Sequence, residues 1–162
     1  MFSPELKVLS QEIGTLLLAK KQVLTLAESC TGGLISALIT NTAGSSAWFD
    51  SGLVTYSNQA KQDLLSVQQS SLDQYGAVSE QVAMEMAIGA LQQGRATIAA
   101  SVTGIAGPDG GTPAKPVGTV CFAWTSEDFA SKSRTYHFKG NREQIREQSA
   151  IALLLGLKEV LN

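Results

Sequence analysis

Residues 24–33 read LTLAESCTGG, and the pattern LISALI follows directly at residues 34–39. The first stretch passes from apolar and β-branched residues to small, hydroxyl-bearing and glycine residues, and the second stretch has helical spacing. This order predicts a strand, a tight turn and a helix. In open α/β sheets, ligands bind at the carboxyl ends of strands, close to the N–H groups of the following helix. The stretch therefore predicts an α/β fold with a candidate site at Ser29.

Ser29 lies on this turn, where a serine has two common roles. One is the nucleophile of a strand-turn-helix elbow, with N–H groups around Thr31, Gly32 and Gly33 as donors to an oxyanion. The G-x-S-x-G pattern of such elbows is absent, because Ala27 and Thr31 occupy its glycine positions. The other role is a helix N-cap that satisfies a free N–H group. Position alone favours the N-cap.

The chain has 162 residues, a length that suits a single domain over residues 1–162. Its formal net charge is −2 and it contains no basic run, which argues against a nucleic-acid partner. The longest apolar stretches are too short to span a membrane and the N-terminus lacks a signal-peptide pattern, so we expect a cytoplasmic protein without a membrane partner. Cys30, Cys121 and His137 are too few soft ligands for a zinc or iron site, so we expect no metal.

The rest of the chain alternates between helical and strand patterns. Helices are predicted at residues 4–17, 33–42, 59–65, 80–93 and 142–161, and strands at residues 23–27, 52–57, 96–102, 117–125 and 132–138. We expect Asn58 to cap the third helix and Gly94 to close the fourth. The last two strands are separated by a hairpin-length connection, so the sheet should be mixed.

A serine nucleophile needs a group that accepts its proton, and two side chains are candidates. His137 lies inside a predicted strand, where a histidine usually has a structural role. Lys61 falls in the first turn of the helix that Asn58 is expected to cap, where free N–H groups and burial lower the pKa of an amine. A lysine with such a pKa can act as a general base for serine. The alternative is that Lys61 is an ordinary solvated side chain.

Tyr56 precedes Lys61 by five residues, at the end of a predicted strand. Its phenol could lie beside the amine and pass a proton between serine, lysine and leaving group. The alternative is a tyrosine that packs on the sheet, because aromatic residues fit pleated surfaces well.

A glycine-rich loop covers residues 103–111, and its backbone N–H groups could approach a phosphate closely. It matches neither G-x-G-x-x-G nor the P-loop, which excludes the dinucleotide-fold and NTPase interpretations. Arg142, at the start of the last helix, could also bind a phosphate or carboxylate. The alternatives are an ordinary turn and a surface arginine.

Six motifs follow one another along the chain: AESCTGG at 27–33, AGSSAWF at 43–49, VTYSNQAK at 54–61, GAVSE at 76–80, TGIAGPDGG at 103–111 and KPVGTV at 115–120. Together they resemble the CinA C-terminal domain family over nearly the whole chain. The resemblance implies a three-layer α/β/α sandwich with a mixed, mostly parallel sheet. It also implies a stand-alone nicotinamide-nucleotide amidohydrolase, which converts nicotinamide mononucleotide (NMN) and water to nicotinic acid mononucleotide and ammonia in pyridine nucleotide salvage. Such an enzyme needs no cofactor.

The family's catalytic serine, tyrosine and lysine correspond to Ser29, Tyr56 and Lys61. The resemblance suggests a homodimer and places the glycine-rich loop, with Thr103, Gly104 and Gly107, and Arg142 in contact with the substrate. The N–H groups around Thr31, Gly32 and Gly33 are expected to hold the oxyanion. Two alternatives remain open. One is a non-catalytic nucleotide-binding or regulatory module in which Ser29 is only a cap, and the other is an amidase for a different amide.

Overall fold

A computed structural model describes residues 1–162. Its elements follow one another as α1 (Pro4–Ala19), β1 (Leu24–Glu28), α2 (Leu34–Thr40), a 3₁₀ turn (Ser45–Ala47), β2 (Phe49–Val54), α3 (Asn58–Leu65), α4 (Gln69–Tyr75), α5 (Glu80–Leu91), β3 (Ile98–Gly104), β4 (Thr119–Ser126), β5 (Lys132–His137) and α6 (Arg142–Leu161). None of the helices combines the length and the apolar character needed to cross a membrane.

The five strands form one sheet in the order β2-β1-β3-β4-β5. Strands β2, β1 and β3 are parallel, and β4 is antiparallel to both of its neighbours. Four of the five strands therefore run in the same direction and β4 alone runs against them. The mixed sheet expected from the hairpin pattern is confirmed.

Helices cover both faces of the sheet, which confirms the three-layer sandwich. On one face, α1, α2 and α6 enclose a cluster of 24 buried apolar residues. On the other face, α3, α4 and α5 enclose a cluster of 12. The strands present small side chains such as Ala27, Ala99 and Ala123 to this second cluster, so α5 can lie close to the sheet.

Two predicted strand positions were wrong, because pairing partners decide where a strand ends. Strand β2 begins and ends three residues before the predicted 52–57, since its only partner, β1, ends at Glu28 opposite Val54. Strand β3 continues to Gly104, which pairs with Val120 of β4. Thr103 and Gly104 thus belong to a strand, and the glycine-rich loop begins at Ile105.

Two predicted helix ends were also wrong. Ser57, and not Asn58, caps α3, because the Ser57 hydroxyl accepts the N–H of Ala60 at 3.0 Å. Helix α5 ends at Leu91, so Gly94 does not close it.

Gly89 allows α5 to approach α3, because a Cβ there would overlap the carbonyl oxygen of Leu65. Gly89→Ala must therefore displace the end of α3, the helix that also carries Lys61. We expect the free energy of unfolding, measured in urea, to fall by about 1–3 kcal/mol. The control is Ile88→Ala on the exposed side of α5, with an expected change within about 0.5 kcal/mol. A Gly89→Ala protein as stable as the wild type would contradict this account of the helix contact.

Candidate active site

Three chain segments meet at the carboxyl ends of the parallel strands β1, β2 and β3. They are the turn at Ser29, the Thr55-Tyr56 segment and the loop that begins at Ile105. Helix α2 leaves β1 toward one face of the sheet, and α3 leaves β2 toward the other face. The chain therefore diverges between neighbouring strands, and open α/β sheets bind ligands at such a point.

Ser29 and Lys61 are in direct contact at this edge. Lys61 Nζ lies 2.9 Å from Ser29 Oγ, 2.8 Å from the carbonyl oxygen of Thr55 and 3.2 Å from that of Tyr56. Helical side chains point back toward the N-terminus of their helix, so the Lys61 stem reaches the residues that precede α3. The structure thus brings together the serine and the lysine that the sequence suggested as nucleophile and base.

Burial lowers the pKa of Lys61 from 10.5 to about 8. The side chain is only 1% exposed and its three partners are a hydroxyl and two carbonyl oxygens. Free N–H groups of the first helical turn were a second cause expected from the sequence. However, the Lys61 N–H donates to the Ser57 carbonyl at 3.1 Å, so Lys61 completes that turn and does not lie within it.

Glu28 is a buried residue of the site that was not expected from the sequence. Its fully buried carboxylate accepts five hydrogen bonds at the start of α2, where a negative charge is favoured by the helix dipole. Ser29 Oγ accepts no backbone N–H there, so the N-cap interpretation of Ser29 is wrong. An acidic residue directly before the predicted turn was the available signal. The donors, at 2.6–3.2 Å, are the hydroxyls of Thr31 and Ser36 and the N–H groups of Gly33, Ile35 and Ser36.

The turn after β1 leaves two N–H groups free. The N–H of Gly32 donates to the Ser29 carbonyl at 3.0 Å, and that of Gly33 donates to Glu28 at 3.1 Å. Both glycine donors are therefore occupied, contrary to the expectation that they serve an oxyanion. The N–H groups of Cys30 and Thr31 donate no hydrogen bond within the protein. In nucleophile elbows, the residue after the nucleophile supplies one donor of the oxyanion hole.

Ser29 and Lys61 line a cavity of about 170 Å³. Among the predicted substrate-binding residues, Thr103, Gly104 and Arg142 line it as well, and Thr31, Gly32, Gly33 and Gly107 do not. The Thr103 hydroxyl donates to the Ala77 carbonyl at 2.9 Å. The remaining lining residues are Cys30, Tyr56, Asn58, Ala77, Val78 and Ala106.

Tyr56 and Arg142 are joined across this cavity. Arg142 Nη2 donates to the Tyr56 phenol at 3.1 Å, and Arg142 Nη1 donates to the Gly107 carbonyl at 2.8 Å. The phenol is exposed and contacts Arg142, whereas Lys61 contacts only the Tyr56 carbonyl oxygen. The phenol relay expected from the sequence is therefore not formed. Arg142 instead connects the segment before α3 to the glycine-rich loop.

Cys30 and His137 are the other side chains that could act as nucleophile or base, and neither forms a hydrogen bond with the Ser29–Lys61 pair. Burial raises the pKa of the Cys30 thiol to about 12, so this neighbour of Ser29 stays protonated at neutral pH. His137 Nδ1 lies 3.3 Å from the Thr119 hydroxyl, in a separate open groove of about 1060 Å³. That groove is larger, but it contains neither Ser29 nor Lys61. The smaller cavity is therefore the candidate active site. Nowhere in the structure do three or more His, Cys, Asp or Glu side chains come together as a metal site.

Comparison with known proteins identifies relatives of the whole chain. The model of the CinA C-terminal domain family matches residues 6–161. A protein from Enterobacter agglomerans named nicotinamide-nucleotide amidohydrolase PncC is 54% identical over 162 residues, which is 99% of each chain. A protein of the same name from Escherichia coli K12 is 50% identical over 149 residues, covering 92% of this chain and 90% of the other. The crystal structure of the competence/damage inducible protein CihA from Agrobacterium tumefaciens has a TM-score of 0.97 and 40% identity, over 100% of this chain and 99% of that one.

Proposed function

The chain belongs to the CinA C-terminal domain family, and from this premise we propose that it is a nicotinamide-nucleotide amidohydrolase acting in pyridine nucleotide salvage. Its reaction is the hydrolysis of the carboxamide of NMN to nicotinic acid mononucleotide and ammonia. The observation that carries the proposal is the 2.9 Å contact between Ser29 and a buried Lys61, in a chain at least 50% identical to two proteins named for this activity.

The surroundings of Lys61 support its role as a base. Carbonyl oxygens only accept hydrogen bonds, so a neutral Lys61 amine donates its two hydrogens to Thr55 and Tyr56. Its lone pair is then left for the hydroxyl of Ser29 at the third contact. Burial keeps the pKa of Lys61 at about 8, which makes the neutral amine accessible near physiological pH.

We propose that Ser29 Oγ attacks the carboxamide carbon while Lys61 takes the hydroxyl proton. The N–H group of Cys30, the residue after the nucleophile, binds the negative charge that forms on the carboxamide oxygen. The C–N bond then breaks, and Lys61 gives its proton to the nitrogen that leaves as ammonia. Water attacks the acyl-enzyme with Lys61 again as base, which releases the carboxylate product and restores Ser29. All proton transfers use groups of the protein, so the scheme needs no cofactor.

The size of the cavity supports a partly enclosed substrate. About 170 Å³ is below the ~300 Å³ at the lower end of usual ligand pockets, so the cavity suits the carboxamide-bearing ring alone. The ribose phosphate then lies across the mouth, between Tyr56 and Arg142. Arg142 and the N–H groups of Ala106 and Gly107, which have no acceptor within the protein, are our proposed phosphate donors. Thr103 and Gly104 form the wall beneath them.

The activity itself is tested by following nicotinic acid mononucleotide and ammonia after NMN is added to the purified protein. We expect kcat/KM to rise about tenfold per pH unit at low pH and to level off above pH 8, because only the neutral Lys61 amine accepts a proton. A flat profile would contradict Lys61 as the base. Binding of NMN without turnover would favour the nucleotide-binding module, and neither binding nor turnover would favour another amide.

Three further expectations complete the proposal. We propose a single functional domain over residues 1–162, a homodimer, which is the commonest oligomer, and a cytoplasmic location. The formal net charge of −2 supports a small-molecule substrate and no nucleic-acid partner. These expectations stay predictions from the sequence.

A further inference from the structure

Arg146 is a half-buried side chain of α6 that reaches across to the turn after β1. Its Nε donates to the carbonyl oxygen of Cys30 at 3.2 Å, and its Nη2 donates to that of Thr31 at 2.8 Å. The flanking residues Ile145 and Ser149 are buried in the body of the protein, so the base of this arginine is fixed. The turn that carries Ser29 is thus attached to a long helix at the other end of the chain.

Peptide geometry gives this contact a consequence for the free N–H groups. In a trans peptide, the C=O and the N–H of the same unit point in opposite directions. The Thr31 carbonyl points to Arg146, so the Gly32 N–H of that peptide unit points away from Arg146 and toward the Ser29 carbonyl. The Ser29 carbonyl accepts the Gly32 N–H, which fixes the Cys30 N–H in the same manner. The unused N–H of Cys30, a residue that lines the cavity, is therefore oriented by Arg146 through two linked peptide units.

We infer that Arg146 is the positioning residue of the oxyanion hole, because it orients the Cys30 N–H through the Thr31–Gly32 and Ser29–Cys30 peptides. The inference rests on the proposed acyl-transfer function. The guanidinium on the Thr31 carbonyl polarises that peptide and strengthens the Gly32 N–H as a donor to the Ser29 carbonyl, which in turn strengthens the Cys30 N–H. The benefit is largest when negative charge develops on the substrate oxygen, so Arg146 stabilises the transition state more than the bound substrate.

The test compares Arg146→Met with the wild type in NMN hydrolysis. We expect kcat to fall by about 10²-fold, the usual effect of losing one oxyanion donor, while KM changes less than about threefold. Added guanidinium ion should restore about a tenth of the lost kcat in the variant and none in the control, since it can occupy the vacated position. The control is Arg134→Met, which removes a surface ion pair to Glu159 and should leave kcat unchanged.

Thermal unfolding of each variant separates positioning from folding. If Arg146→Met does not fold, Arg146→Gln provides the same comparison with a polar side chain of smaller reach. A folded variant with wild-type kcat, or one whose defect is confined to KM, would overturn the inference and leave the amidohydrolase proposal standing.

A second measurement tests the inference even if the proposed function is wrong. If the wild type does not hydrolyse NMN, the amidohydrolase proposal is rejected, and the role of Arg146 is tested by the rate at which a fluorophosphonate labels Ser29. The phosphonyl oxygen needs the same N–H donor, so labelling at least about tenfold slower in Arg146→Met supports the inference. Equal labelling rates, or no labelling of the wild type, would overturn it.

Discussion

Ser29→Ala is expected to lower kcat for NMN by about 10⁴-fold or more, because it removes the atom that forms the acyl-enzyme. The fold should tolerate the change. Ser29 Oγ contacts Lys61 but no backbone group, and α2 is anchored by Glu28. We therefore expect the unfolding temperature to change by no more than a few degrees and the variant still to bind NMN in calorimetry.

The matched control is Ser70→Ala, which removes a hydroxyl from an exposed position of α4. Its kcat should equal that of the wild type. Acid quenching of the wild-type reaction should also trap a nicotinoyl-nucleotide ester on the peptide that contains Ser29. A Ser29→Ala protein that keeps a tenth of the wild-type activity would exclude Ser29 as the nucleophile and make Lys61 only a structural partner.

Much of the fold is readable from local sequence, because periodicity and caps are local properties. The pattern at Ser3-Pro4 starts α1, and Asn141 caps α6 with the help of Gln144. The strand-turn-helix order at residues 24–39 also corresponds to β1 and α2. The errors occurred at ends that tertiary contacts decide, such as β2, which stops where its partner stops.

The candidate site was less readable, because its groups are connected by hydrogen bonds between distant segments. Sequence reasoning singled out Ser29 and Lys61 from their positions at a strand end and at a helix start. It assigned the Tyr56 phenol to Lys61, whereas the phenol contacts Arg142, which lies 86 residues away in the chain. It also treated the glycine N–H groups as free, since nothing local shows that a buried Glu28 uses that of Gly33.

Arg146 illustrates the same limit. Its two acceptors, the carbonyls of Cys30 and Thr31, are 116 and 115 residues away along the chain. In the sequence it is one of two arginines in the last predicted helix, without a motif to distinguish it. Every residue has a backbone carbonyl, so the residue types do not indicate which carbonyl Arg146 contacts. Only the folded structure shows this contact.

Lys61→Met is expected to lower kcat by about 10³-fold or more and to abolish the rise of activity toward pH 8, since no base then accepts the Ser29 proton. A second variant, Lys61→Arg, separates the effect of the positive charge from that of proton acceptance. A guanidinium keeps the positive charge but does not deprotonate in proteins, so we expect this variant to be equally inactive. Substantial activity in Lys61→Arg would show that the lysine acts through its charge and would overturn its role as a base.

Lys61→Met also tests whether the Lys61 amine is buried, through the pH dependence of the free energy of unfolding. The pKa of Lys61 is about 8 in the folded protein and about 10.5 once the chain unfolds. Between these values the unfolded state binds more protons, so the free energy of unfolding rises with pH, by about 3 kcal/mol in total at most. Lys61→Met should lack this gain when urea unfolding is compared at pH 8 and pH 10.5. An identical pH dependence in both proteins would mean that Lys61 is solvated, and a solvated amine would remain protonated and unable to activate Ser29 at neutral pH.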